Sequence, residues 1–176
     1  MKNKDKLLYF IILFIIFSSG YDNQVFGQEK VNMSVGLGIP EFLNIGVRFQ
    51  LEQAQIGISI GSIPVKDESI ISISSDVYYH FGGFSELSNR RPWYGRIGLN
   101  YLRDETETII DKYIFLNVRI GRDINISEKI GIEIEAGAIF QLSNEEIRKK
   151  PSSSWFDFDF EFPVLPSIGI GIFYRF

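Results

Sequence analysis

The chain has no cysteine and a single histidine in 176 residues. Without cysteine there are no disulfide staples, no thiolate zinc sites and no cysteine nucleophile. One histidine, His80, and scattered acids offer no ligand spacing for a metal. Basic charge is also short: 18 Lys and Arg against 22 Asp and Glu leave a net charge of −4, and no stripe collects the cations. Nucleic acid is therefore not an expected partner. Helical periodicity is nearly missing beyond Gln28. The glycine pairs Gly36-Leu37-Gly38 and Gly169-Ile170-Gly171 sit in extended runs with no helix to follow, which removes the phosphate cradle of a nucleotide site. No cofactor is expected.

Two patterns remain. The first is at the N-terminus, where Lys2, Lys4 and Lys6 precede an unbroken apolar run from Leu7 to Phe17. That run is about half of the ~20 residues a spanning helix needs. Small residues follow at Ser18, Ser19, Gly20 and Gly27. The segment 1–27 reads as a signal peptide cleaved after Gly20 or Gly27, with an uncleaved anchor as the alternative. The domain is then 28–176, folded outside the cytoplasm.

The second pattern is strict apolar/polar alternation in eight runs: Val31 to Ile39, Leu43 to Leu51, Ala54 to Gly61, Ile71 to Phe81, Trp93 to Tyr101, Ile114 to Gly121, Ile130 to Phe140 and Ser167 to Phe176. Period 2 means strands with one apolar and one polar or small face. Each run is about as long as the 9–11 residues a tilted membrane strand needs. An even count puts both ends of the barrel chain on one side. Connections on the far side fall at Gly38 to Glu41, Pro64 to Glu68, Asp104 to Asp111 and Ser143 to Pro163. Near-side turns fall at Glu52-Gln53, Gly82 to Pro92 and Asp123 to Lys129.

Alternation leaves the sense of the barrel open, because a water-soluble, lipocalin-like carrier would turn the apolar column inward. Here that column is Ile, Val, Leu and Phe, with Tyr79, Phe81, Trp93, Tyr101, Tyr174 and Phe176 near strand ends, as at membrane interfaces. The other column is Gly and Ser with charges of both signs, which suits a narrow interior. The reading is an all-β, single antiparallel up-and-down eight-stranded transmembrane β-barrel.

The terminal run Ile168-Gly-Ile-Gly-Ile-Phe-Tyr-Arg-Phe176 resembles the C-terminal strand of bacterial outer-membrane barrels. From Lys30 to Phe176 the chain is similar to the small OmpA/OmpX-type family. The resemblance implies a location in the bacterial outer membrane, lipid around the barrel, and an assembly signal at Tyr174 and Phe176 for the barrel-assembly machinery.

Chemistry is sparse. Arg48, Asp76, Arg96, Arg119, Glu133 and Glu135 share the inner column, at similar depth in the near-side half. An eight-stranded lumen is only wide enough for side chains, so these charges are expected to pair and close it; a proton path or pore gate is the alternative. Ser74, Asp76 and His80 lie on one face of one strand, and some small outer-membrane barrels modify lipid A with Ser, His and an acid. His80 belongs near the inner rim, away from the outer leaflet, so no enzyme is expected. In the last connection Trp155, Phe156, Phe158, Phe160 and Phe162 form either an interfacial girdle or a projecting ribbon that could meet a protein partner through 143–163. The expected role is structural or surface-interacting, with a lipid A-modifying enzyme or a carrier of an apolar ligand as alternatives.

Overall fold

A computed structural model of the protein describes residues 30–65, 68–149 and 164–176. The segment 1–27, expected to be a signal peptide, and the aromatic residues Trp155, Phe156, Phe158, Phe160 and Phe162 lie outside the described residues. Eight strands run in order: β1 (Val31–Gly38), β2 (Phe42–Leu51), β3 (Ala54–Val65), β4 (Glu68–Gly82), β5 (Trp93–Glu105), β6 (Ile109–Asn125), β7 (Ile130–Arg148) and β8 (Val164–Arg175). Each is antiparallel to the next, and β8 returns to pair with β1. The architecture is the closed up-and-down barrel that the alternation implies.

Polarity is inverted relative to a soluble protein. Ile58 on β3 is 61% exposed, whereas Arg119 on β6 is 3% exposed. The same holds around the wall, with Leu99, Ile134 and Ile170 outside and Asn32, Gln55, Asn100 and Glu135 inside. Strand geometry produces this because successive side chains point to opposite faces. The aliphatic column of every run has gone outward, leaving the interior to polar groups with a few apolar side chains, Phe115, Ile139 and Phe173, among them.

The two rims differ. The lower rim carries the β2–β3 turn, the 83–92 loop, the β6–β7 turn and Phe176. Outward aromatics gather there: Phe49, Tyr79, Phe81, Trp93, Tyr174 and Phe176. The upper rim slants, because β1 has 8 residues while β6 has 17 and β7 has 19. Asp104, Ile109 to Asp111 and Ser143 to Arg148 are strand rather than the loops expected of them, and so are Asp123 to Asn125 at the lower rim. The reason is cross-strand pairing without an apolar column. Above Tyr101 the outward positions are mostly charged, broken by Ile110 opposite Ile147, and Lys112 pairs with Glu145 at 3.3 Å while Lys149 pairs with Glu105 at 2.6 Å. Such ladders hold strand geometry while erasing the hydrophobic alternation by which strands are recognised.

The β1–β2 turn folds into the barrel instead of away from it. Phe42 adopts a left-handed backbone with φ of 58°, and Asn44 donates a hydrogen bond to its carbonyl at 2.9 Å. Left-handed backbone costs a non-glycine residue roughly 1–2 kcal/mol, yet it swings Glu41 inward until only 2% is exposed. Gly61 on β3 makes the room, since a Cβ there would lie 1.8 Å from the Glu41 carbonyl oxygen. We expect Gly61→Ala to displace this turn and to lower stability by about 1–3 kcal/mol, measured by urea unfolding. An unfolding midpoint equal to that of the wild type would show that the turn has slack.

Candidate functional site

The inner column supplies the site. All six charged residues singled out from the sequence point inward and are buried. Arg48 on β2 donates two hydrogen bonds to Glu133 on β7, at 2.5 and 2.6 Å. Arg96 on β5 forks onto Asp76 of the neighbouring strand at 2.9 and 2.8 Å and reaches Glu135 at 2.7 Å. Arg119 on β6 donates to the same Glu135 oxygen at 2.8 Å. Tyr78 joins the two groups, with the Arg48 guanidinium 4.4 Å and that of Arg96 5.3 Å from its ring centre. Tyr94 completes the Glu135 carboxylate with a 2.8 Å hydrogen bond. Planar forks onto carboxylates are the geometry in which buried charges recover most of their lost hydration.

Glycines on β8 leave space for these long side chains. A Cβ at Gly171 would stand 2.8 Å from a Glu133 carboxylate oxygen, and one at Gly169 would stand 3.1 Å from the Arg119 guanidinium. Between the network and the Gly- and Ser-lined wall of β1 to β3 remains a cavity of about 20 Å³, room for roughly one water.

Sequence reasoning missed four charged members. Glu41 arrives from the upper turn and accepts from Arg96 at 2.7 Å, Arg119 at 2.5 Å and Asn117 at 3.1 Å. Arg119 also donates to the Ile39 carbonyl at 2.5 Å. The network thus climbs to the upper turn of the short β1–β2 side, a correction to the expectation that it stays in the lower half. From the other end the 83–92 loop sends Arg90 inward onto Asp123 at 2.6 Å, and Arg175 lies 3.9 Å from the same carboxylate. Phe173 sits between the two cations, 5.5 Å from Arg90 and 4.6 Å from Arg175. Strand parity could have found Asp123 and Arg175. Glu41 and Arg90 lie in turns, where parity says nothing.

The buried charges balance. Arg48, Arg90, Arg96, Arg119 and Arg175 face Glu41, Asp76, Asp123, Glu133 and Glu135, five of each sign among the described residues.

Ser74, Asp76 and His80 are not assembled into a nucleophile, base and acid. Asp76 is occupied by Arg96, Ser74 accepts from Asn100 at 3.0 Å, and His80 Nδ1 donates to the Arg91 carbonyl at 2.7 Å with Nε2 facing Gln55 at 3.2 Å. Among the described residues no group of three or more metal-ligating side chains is brought together. Tyr174 and Phe176 pack edge to face with ring centres 4.8 Å apart on the outside of the lower rim.

A second set of acids lies on the projecting ladder of the upper rim. Asp104, Asp111 and Glu146 face one another in register across β5, β6 and β7, with Glu68 on β4 alongside. Partial burial, and then the Glu68 carboxyl beside it, push Asp104 up to about 6; burial and then Glu146 raise Asp111.

No family model matches the chain, and no curated protein matches it. Solved structures do. CarO2 of Acinetobacter baumannii superposes with a TM-score of 0.51 at 9% identity, over 85% of this chain and all of that one. CarO of the same organism gives 0.48 at 12% identity, over 88% of this chain and 100% of that one. Neisserial surface protein A gives 0.44 at 11%, over 83% and 94%.

Removing one member should expose the mutual dependence of the network. Glu41→Ala leaves Arg96 and Arg119 short of a carboxylate, and we expect a loss of about 3–5 kcal/mol, the cost of an uncompensated buried charge, read by chemical unfolding. A loss near zero would mean that water enters and replaces the carboxylate. The upper acids give a pH dependence. Because the folded protein raises Asp104, its contribution to stability is complete below the free carboxyl value near 4 and is lost as pH rises through about 6. Amide exchange in the β5–β6 projection, corrected for its intrinsic rate, should therefore be slower at acidic than at neutral pH. Asp104→Asn should flatten that dependence.

At these identities the likeness is one of fold, and the chain has the fold of the small eight-stranded outer-membrane β-barrels.

Proposed function

We propose that this is an exported protein of the bacterial outer membrane, a barrel closed by its own charged side chains, serving the envelope structurally or through surface contacts. One observation carries the reading: a continuous exposed belt of Ile, Val, Leu and Phe surrounds an interior in which five arginines meet five carboxylates. In water that arrangement would leave an aggregation-prone surface many times the size of an ordinary apolar patch. In a bilayer it satisfies both faces, since every backbone group of a closed barrel is paired.

The same geometry argues against conduction. Solute would have to displace the Arg48–Glu133 and Arg96–Glu135–Arg119 bridges, and the cavity beside them measures about 20 Å³. The cavity beside the network is lined by charged groups, Arg48, Asp76, Glu133 and Glu135 among them, which does not suit an apolar ligand, and Ser74, Asp76 and His80 are committed to other partners. The partners this reading implies are outer-membrane lipid around the belt and the barrel-assembly machinery at the terminal strand, with Tyr174 and Phe176 as its signal. Contacts with another protein would be made from 143–163, of which Ser143 to Arg148 is the top of β7.

Fractionation tests it. The protein should resist carbonate washing, require detergent for extraction, and run faster unheated than boiled on a gel, the behaviour of a folded membrane barrel. In planar bilayers it should show no steady conductance. Release into the aqueous fraction would sink the membrane reading, and a steady single-channel current would sink the closed interior.

A further inference from the structure

Arg122 stands apart from the other arginines near the lower rim. It is exposed and faces outward from β6, between Ile120 and Ile124 in its own column and level with Trp93 on β5 and Ile134 on β7. Its guanidinium lies over the Trp93 ring at 5.3 Å, and among the described residues no carboxylate lies within ion-pair range of it. A cation in a lipid-facing column is tolerated at the interface and costly deeper, so its counter-ion must come from the surroundings at headgroup level.

Beside it the barrel wall carries a ready-made recess. A cleft of about 310 Å³ opens between the 83–92 loop and the end of β6, lined by Phe84, Glu86, Leu87, Arg122, Asp123 and Asn125 among others. The loop is pinned in place, by Arg90 bonded to Asp123 inside the barrel and by Asn125 donating to Ser85 at 2.6 Å. Phe84 is 84% exposed, an apolar ring with no protein cover among the described residues. The cleft therefore combines the Arg122 cation, the exposed carboxylate of Glu86, an Asp123 carboxylate already neutralised by Arg90, and apolar walls that run on to the outward Trp93 and Ile124.

A purely anionic group would be repelled by Glu86, and a purely cationic one by Arg122. A headgroup with both charges fits. We infer that this cleft binds an ethanolamine phospholipid of the inner leaflet, its phosphate on Arg122, its ammonium on Glu86 and its chains along Trp93, Ile124 and Phe84; the inference rests on the outer-membrane reading above.

The test is native mass spectrometry of the folded barrel released from detergent after exposure to equal amounts of dioleoyl phosphatidylethanolamine and dioleoyl phosphatidylglycerol. Wild type should retain one lipid and prefer the ethanolamine form. Arg122→Gln should retain about tenfold less of both, as expected when a charge-assisted pair is lost. Glu86→Gln should keep its total retention and lose the preference. Excess inorganic phosphate should leave the lipid in place. Equal retention by Arg122→Gln and wild type, no headgroup preference in wild type, or displacement by inorganic phosphate would each overturn the inference. Heat-modifiable mobility is recorded for every sample. A wild type that never shows the folded form in bilayers overturns the membrane reading itself, whereas folded barrels with unselective retention overturn only the lipid site.

Discussion

An eight-stranded barrel encloses too little space to hydrate the charges it contains, and the structure follows from that constraint. Five guanidinium groups inside the wall leave no alternative to five carboxylates within reach, because each unpaired ion would cost several kcal/mol. The glycines of β8 face Glu133, Glu135 and Arg119 because anything larger would collide with them. The upper turn bends inward at Glu41, and the lower loop bends inward at Arg90, each delivering one charge that the strands alone lack. Strands, turns and small residues thus answer one electrostatic requirement.

The exterior answers a different one. Between the aromatic lower rim and the charged ladder above Tyr101, the wall offers aliphatic side chains on every strand. The lower rim is compact and aromatic, whereas the upper rim is lopsided and ionic, rising on the β5 to β7 side. That asymmetry gives the two ends different chemistry: aromatic rings below and ion pairs above.

The fold was legible in the sequence because period 2 is a property of residues in line. Each run from Val31 to Phe176 displays its own faces, and eight of them with an apolar outside leave few architectures. The six paired charges were legible for the same reason, since Arg48, Asp76, Arg96, Arg119, Glu133 and Glu135 all share the inner parity. What could not be read was anything that enters the lumen from a turn. Glu41 and Arg90 owe their burial to Phe42's left-handed backbone, to the empty side of Gly61 and to a loop folded back under the barrel, none of which alternation reports. Strand ends were misjudged wherever charged ladders such as Lys112 with Glu145 replace aliphatic ones. Arg122 was visible as a residue, but its solitude emerged only once its neighbours across β5 and β7 were known.

Alternation tells a strand which way to face but is indifferent to sliding by two residues, since such a shift keeps oil outside and polar groups inside. The ion pairs are not indifferent. A two-residue slip of β7 would move Glu133 and Glu135 by about 7 Å, so that one takes the other's place and a glycine, Gly131 or Gly137, is left facing Arg48 or the Arg96–Arg119 pair. The buried salt bridges therefore act as a vernier on the wall, rejecting misaligned closures that the surrounding hydrocarbon would accept.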